Sequence, residues 1–222
     1  MAGAILPQML RDQANASDSE LLRCWRAGDH RAGNLLLQRY WDSLFRFFCN
    51  KADEQLASDL IQQTMLACVR GRDRLRDDNK FAAYLFRTAY NTFKQSMRMR
   101  YRDQGRSPFA EQSIASLGIT PNERMTQKAE QRLLLRALRN LVLDDQVILE
   151  LYYWENLSRR EVALLLDIQD GAAASRIRRA RERLKKMISR LASDPELGYR
   201  TTANFEHWLA DLRKKTPDIP RS

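Results

Sequence analysis

The chain has 222 residues, 44% of them hydrophobic, so it is long enough for one or two domains with apolar cores, and wholesale disorder is excluded. A formal net charge of +10 favours a polyanionic partner such as nucleic acid, with an acidic membrane surface as the weaker alternative. No run of about 18 apolar residues is present, and the N-terminal stretch lacks the basic start of a signal peptide. We therefore expect no membrane insertion and a cytoplasmic location.

Cysteine and histidine usage argues against metal or redox chemistry. Cys24, Cys49 and Cys68 are widely spaced and stand mostly within apolar helical patterns, which indicates reduced core thiols. No C-x-x-C pair occurs, and neither His30 nor His207 has a Cys or His at ligand spacing, so no metal site is predicted. A phosphate-binding glycine loop and a nucleophile elbow are also missing from the sequence, so we expect no cofactor and no enzymatic activity.

The first half of the chain reads as a series of amphipathic helices, with almost no strand pattern. After an arm over residues 1–16, expected to be loosely ordered, a capped helix is predicted for residues 17–28. A second helix over residues 29–48 has a wide apolar stripe, and a third spans residues 53–71. A charged loop then precedes a helix that starts at Phe81 and ends in a basic, sulfur-rich segment.

Helical periodicity is lost over residues 103–128, where proline and glycine among polar residues indicate a linker. It then returns, and Asp144 or Asp145 is placed to cap a further helix. After Leu191 the segment SDPELGY predicts a break in helical structure. The tail beyond it predicts a short helix with one apolar face, made of Phe205, Trp208, Leu209 and Leu212.

Residues 157–184 predict two capped helices joined by a tight turn. Ser158 and Glu161 have capping-box spacing, and residues 167–169 interrupt the pattern before the second helix. The apolar stripe of that helix consists of Ala173, Ile177, Ala180 and Leu184. Its opposite side carries Ser175, Arg178 and Arg179, with Arg176 and Arg183 on a flank. The pattern is typical of a helix-turn-helix that enters the major groove, and the alternative is a solvated basic face on a core helix.

The predicted fold class is all-α, with two small helical domains joined by a flexible linker, the second a helix-turn-helix. We assign residues 17–102 to the first domain and residues 129–192 to the second. A short C-terminal helical tail follows over residues 193–222. The tail either packs back on the second domain or serves as a regulatory segment that covers a DNA surface or the surface for another partner.

Four segments resemble bacterial RNA polymerase sigma factors of the extracytoplasmic-function (ECF) type, in the sigma-70 family. They are AGD at residues 27–29, DLIQQT at 59–64, FAAYLFRTAYN at 81–91, and the helix-turn-helix LSRREVALLL with GAAASRIRRARERL at 157–184. The resemblance covers about residues 17–102 and 133–191. It implies a factor that binds core RNA polymerase, recognises the −35 and −10 promoter elements and promotes DNA melting.

The resemblance also implies partners and site residues. The partners are promoter DNA and core polymerase, through the clamp helices of its largest subunit and the flap of its second-largest subunit, with an anti-sigma factor as a further candidate. The polymerase-binding candidates are Asp59, Gln62, Gln63 and Leu66. The −10 candidates are Arg76, Asp77, Asp78, Asn79, Lys80, Tyr84, Asn91, Lys94 and Arg98, although Tyr84 suits a core position better than a base platform. The −35 candidates are Arg159, Arg160, Ala172, Ser175, Arg176, Arg178 and Arg179.

Two other functions fit parts of the sequence. A helix-turn-helix regulator that binds duplex DNA without polymerase would explain the second domain but gives no role to DLIQQT. A helical interaction protein that sequesters a partner would use its basic residues only for solubility. Binding to core polymerase and salt-sensitive binding to DNA distinguish these alternatives from a sigma factor.

Overall fold

The computed structural model describes residues 16–101, 113 and 128–207, and among these the secondary structure is helical apart from one isolated bridge between Ser113 and Val142. The first domain contains α1 (Asp18–Arg26), α2 (His30–Arg39), α3 (Trp41–Cys49), α4 (Glu54–Gly71) and α5 (Phe81–Tyr101), with two 3₁₀ turns at Arg72–Arg74 and Asp78–Lys80. The second contains α6 (Ala129–Arg139), α7 (Leu143–Tyr153), α8 (Arg159–Leu166), α9 (Asp170–Leu191) and α10 (Pro195–Ala203). The all-α fold class is confirmed. The arm and most of the linker lie outside the described residues.

Local sequence signals set several helix starts as predicted. Ser17 forms a capping box with Glu20 at α1, and Asp53 accepts the Leu56 amide at α4. Asp29 accepts two amides at the start of α2. Gly28 between α1 and α2 has a φ of 102°, a left-handed conformation that glycine adopts without steric cost. Each cap satisfies amides that the first turn of a helix leaves unpaired.

The single helix predicted over residues 29–48 is wrong, because the chain turns at Tyr40 and forms α2 and α3. The Tyr40 ring packs against Phe81 and Phe86, with centroid separations of 5.7 and 6.4 Å. Its hydroxyl donates a hydrogen bond to the Asp18 carboxylate. These contacts with distant parts of the chain fix the turn, and hydrophobic periodicity carries no signal for them.

Two further local predictions are corrected in the second half. Asp144 and Asp145 lie inside the first turn of α7 and do not cap it, since the N-cap position is Val142. The predicted break over residues 193–199 is largely helix α10, where Asp194 accepts the Leu197 amide at 2.8 Å and Pro195 occupies the first turn. Proline is compatible with a helix start because it lacks an N–H that would be unpaired there. Of the predicted tail helix only Phe205 lies within the described residues.

The apolar cores of the two domains are joined. One cluster of buried side chains runs from α1–α5 into the second domain, where it includes Leu143, Val147, Ile148, Leu151, Leu157, Val162, Leu165 and Ile177. A second cluster lies between α6, α7 and the C-terminal half of α9 and includes Phe205. The two domains therefore pack on each other, an arrangement that a flexible linker alone does not predict. Within the described ranges, no helix is long and apolar enough to cross a membrane.

Candidate nucleic-acid interface

The helix-turn-helix geometry predicted from residues 157–184 is present in α8 and α9. The Ser158 hydroxyl accepts the Glu161 amide at 3.3 Å, and the Glu161 carboxylate accepts the Ser158 amide at 2.7 Å, which completes the capping box. Asp167 ends α8 with a φ of 55°, a left-handed conformation that aspartate tolerates better than most residues. The buried side of α9 carries Ala173, Ile177, Ala180, Leu184 and Ile188, and the first four form the predicted stripe.

The solvent side of this motif is strongly basic. The −35 candidates Arg159, Arg160, Ala172, Ser175, Arg178 and Arg179 are all exposed. Arg159 and Arg160 lie in the first turn of α8, near the start of α9, and Arg160 Nε is 3.5 Å from Asp170 Oδ2. Helix N-termini present unpaired amides and a partial positive charge, so arginines beside them suit a phosphate backbone.

Two arginines of α9 have acidic neighbours in α7. Arg176 is partly covered, and its Nη1 lies 4.0 Å from Asp144 Oδ2 in α7. Arg183 Nη1 lies 2.6 Å from Asp145 Oδ2. Among the −35 candidates, Arg176 is therefore less available to DNA than Arg178 and Arg179.

The predicted −10 loop is held by an arginine that sequence reasoning did not identify. Arg26 at the end of α1 donates to the Arg72 and Leu75 carbonyls at 2.6 Å each and to the Asp78 carboxylate. Asp77 accepts the Asn79 amide at 3.1 Å and lies 3.0 Å from the Lys80 ammonium. The carboxylates of Asp77 and Asp78 thus support the loop, while Arg76 and Asn79 are exposed. Helical patterns give no signal for a contact made across 46 residues or more.

The remaining −10 candidates lie on α5. Asn91 and Arg98 are exposed, and the Lys94 ammonium lies 4.1 Å from the centroid of the Tyr90 ring. Tyr84 is half-buried, and its hydroxyl reaches so close to Gly71 that a Cβ there would lie 2.2 Å away. This packing agrees with the interpretation of Tyr84 as a core side chain.

The polymerase-binding candidates share one solvent face of α4. Asp59, Gln62, Gln63 and Leu66 are all exposed, and Leu66 keeps 49% of its surface accessible. The opposite face of the helix is buried through Leu60, Ile61, Thr64 and Cys68. An exposed leucine among polar groups is a feature that a partner could bury.

The cysteines are all free thiols, but only two of them are in the core. Cys49 and Cys68 are buried, whereas Cys24 is exposed, so the prediction of a core position is wrong for Cys24. Burial raises the pKa of the Cys49 and Cys68 thiols to about 12. Among the described side chains, no group of three or more His, Cys, Asp or Glu is arranged to hold a metal ion.

Comparison with known families covers both domains. Residues 36–106 match the family model described as Sigma-70 region 2, and residues 131–184 match Sigma-70, region 4. The chain belongs to the sigma-70 family and is a sigma factor of the ECF type. Sigma factors are transcription initiation factors rather than classical enzymes, and this membership supports promoter-specific transcription initiation with RNA polymerase.

Relatives of known name agree with this assignment. The chain is 27% identical over 187 residues to the ECF RNA polymerase sigma-E factor of Haemophilus influenzae, covering 79% of this chain and 97% of the relative. It is 26% identical over 187 residues to the sigma-E factor of Escherichia coli K12, with coverage of 79% and 96%.

Two solved structures share the fold. CnrH, in complex with the cytosolic domain of CnrY, aligns with a TM-score of 0.56 and 21% identity, over 78% of this chain and 97% of CnrH. RpoE from Bartonella quintana, in complex with the anti-sigma factor NepR, aligns with a TM-score of 0.53 and 22% identity, over 72% of this chain and 97% of RpoE.

Proposed function

We propose that the chain binds core RNA polymerase, recognises the −35 and −10 elements of a promoter and promotes DNA melting. The observation that carries the proposal is the capped helix-turn-helix with arginines on its solvent side, in one chain with a second helical domain whose α4 face is open. An anti-sigma factor is a further proposed partner, because the two structural neighbours were solved as complexes, one of them with an anti-sigma factor by name.

The −35 reader is α9, supported by α8. Arg178 and Arg179 are exposed on the side opposite the buried stripe, where they can reach guanine edges in the major groove. Arg159 and Arg160 would contact the phosphate backbone and orient the motif without reading sequence. Ala172 at the start of α9 offers a methyl group to thymine, so apolar contact and DNA shape would contribute to the choice of sequence.

Melting would occur at the first domain, by capture of unstacked bases of one strand. The exposed Asn79 and Arg76 offer hydrogen bonds to base edges, and Arg98 and Asn91 line the neighbouring helix face. Capturing an extruded base offsets the cost of unpairing it, so the step needs no ATP. Binding to polymerase through Asp59, Gln62, Gln63 and Leu66 would place this surface on the promoter.

Run-off transcription with core polymerase on a random promoter library tests the proposal. We expect initiation only when the chain is added, and we expect Arg178→Ala or Arg179→Ala to reduce it about 5- to 150-fold, the range of one lost arginine–guanine contact. Arg190→Ala removes the same charge from the far end of α9, where the side chain is also exposed, and should change initiation less than twofold (about 0.4 kcal/mol). No initiation at any sequence, or equal losses in all three variants, would contradict the proposal.

A further inference from the structure

A buried polar cluster joins the two domains. Lys51, just after α3, is fully buried, and its ammonium donates to the Glu150 carboxylate in α7 and to the Phe47 carbonyl at 2.7 Å. Asn50 Nδ2 donates to Glu150 Oε1 at 2.6 Å, and Gln146 Nε2 donates to the same oxygen at 2.8 Å. The carboxylate of the second domain is thus satisfied by an ammonium and an amide of the first.

This pair can exist only while the domains are together. Burial lowers the pKa of Lys51, against the attraction of Glu150, because removing an ammonium from water is costly. Pairing with Glu150 offsets part of this cost, and both charged groups regain water when the domains separate. A buried ion pair of this kind selects one arrangement of the domains without making it irreversible.

Further polar contacts cross the same boundary. The Tyr90 hydroxyl of α5 donates to the Asp144 carboxylate of α7, and Arg87 Nη1 of α5 donates to the Leu164 carbonyl of α8 at 3.1 Å. Arg46 Nη2 in α3 lies 3.5 Å from Glu155 Oε1. An apolar cluster with members from both domains is also present, so the boundary combines buried apolar side chains with specific polar contacts, as protein interfaces do.

The closed arrangement places an acidic group between the two candidate DNA surfaces. Asp144 accepts the Tyr90 hydroxyl, lies 4.0 Å from Arg176 and attracts Lys94, which sits over the Tyr90 ring. A DNA phosphate would compete with Asp144 for Arg176 and Lys94. The candidate polymerase face of α4 is exposed in the same arrangement.

We propose that Lys51–Glu150 and Tyr90–Asp144 form a reversible interdomain latch that closes the free chain and weakens its binding to DNA. The weakening of DNA binding rests on the proposed function, whereas the closure does not. Because the two consequences are measured separately, failure of one is distinguishable from failure of the other.

Closure is measured by fluorescence transfer in the full chain. Cys24 in the first domain is exposed, and Tyr199→Cys places a second label on α10, where Tyr199 is 75% exposed. We expect high transfer in this parent chain and reduced transfer in Lys51→Glu and in Glu150→Lys, since each puts like charges together. The double variant that combines Lys51→Glu with Glu150→Lys should restore the high transfer of the parent chain. Low transfer in the parent, or unchanged transfer in folded single reversals, would overturn the latch.

If circular dichroism shows that a charge-reversal variant does not fold, two conservative variants test closure instead. Tyr90→Phe removes the hydroxyl that crosses to Asp144, and we expect lower transfer. Tyr40→Phe is the matched control, because Tyr40 also donates to an aspartate, Asp18, but within the first domain. Equal transfer in the two variants would overturn the proposal.

The effect of the latch on DNA binding is measured as the affinity for a short random-sequence duplex. Lys51→Glu lowers the net charge by two and Glu150→Lys raises it by two, so net charge alone predicts opposite effects on affinity. The latch predicts that both variants bind DNA more tightly, at least about fivefold, because a larger fraction of each is open. Weaker binding by Lys51→Glu despite reduced transfer would reject the effect on DNA while leaving closure standing.

Discussion

Trp25 and Gly33 show how closely α1 and α2 approach. A Cβ added at Gly33 would lie 2.5 Å from Cε2 and Nε1 of the Trp25 indole, closer than real Cβ atoms come to their neighbours. The indole is buried, and the Arg72 guanidinium lies over it at 5.3 Å from the ring centroid. In this packing the indole occupies the space of a side chain at position 33, so glycine is the residue that fits.

Gly33→Ala is expected to lower the free energy of unfolding by about 1–3 kcal/mol, as overpacking does in cores. The measurement is the midpoint of urea denaturation. Gly171→Ala is the control, because nothing lies within 4 Å of a Cβ built there and alanine favours a helix. Equal midpoints for both variants would show that α1 and α2 can separate without cost.

The three thiols are expected to differ in reactivity. At about pH 8, Cys49 and Cys68 are protonated because their pKa values are raised to about 12, and the reactive species is the thiolate. One equivalent of a thiol reagent should react quickly with the native chain and three after unfolding in urea. Cys24→Ser should abolish the fast phase, and a fast phase that survives would place another thiol at the surface.

At the scale of the element, α10 and Phe205 extend the second domain beyond the segment that matches the sigma-70 region 4 model. Phe205 is buried, its ring lies 5.6 Å from that of Tyr153, and Glu206 lies 3.7 Å from Arg181. Arg200 in α10 lies 3.6 Å from Glu130 in α6. Up to residue 207 the tail packs back on the second domain, which is the first of the two alternatives that the sequence left open.

Phe205→Ala should lower the free energy of unfolding of the second domain by about 3–5 kcal/mol, the usual cost of truncating a buried phenylalanine. Tyr199→Ala removes an aromatic ring from α10 itself, but that ring is exposed, so a change within about 0.5 kcal/mol is expected. Thermal denaturation followed by circular dichroism compares the two. A small effect of Phe205→Ala would mean that this part of the tail is not needed for the fold.

At the scale of the whole molecule, the proposed polymerase surface and the proposed DNA surface differ in how far the chain itself covers them. The solvent face of α4 is exposed, while Arg176 of the proposed DNA surface faces Asp144. Polymerase binding through α4 is therefore compatible with the closed chain.

Leu66→Ala is expected to weaken binding to core polymerase about 4- to 13-fold. Leu66 is already half-buried in the free chain, so burying the rest contributes roughly half of the 1.5–3 kcal/mol for a fully buried leucine. Leu164→Ala is the matched control, because Leu164 is also a helical leucine of similar exposure, 45% against 49%. Titration of labelled chain with core polymerase measures both affinities. Equal affinities would remove α4 from the proposed polymerase surface.

The sequence by itself determined the helical class, the capping box at Ser158, the buried stripe of α9 and its basic solvent side. These features follow from local periodicity and from hydrogen bonds between residues three or four positions apart. Only the tertiary structure decided the turn at Tyr40, the support of the loop by Arg26 and the pairing of Lys51 with Glu150. Each of these depends on a contact between residues at least 22 positions apart. The energy of such a contact depends on how deeply both side chains are buried, and the sequence around either residue does not show this.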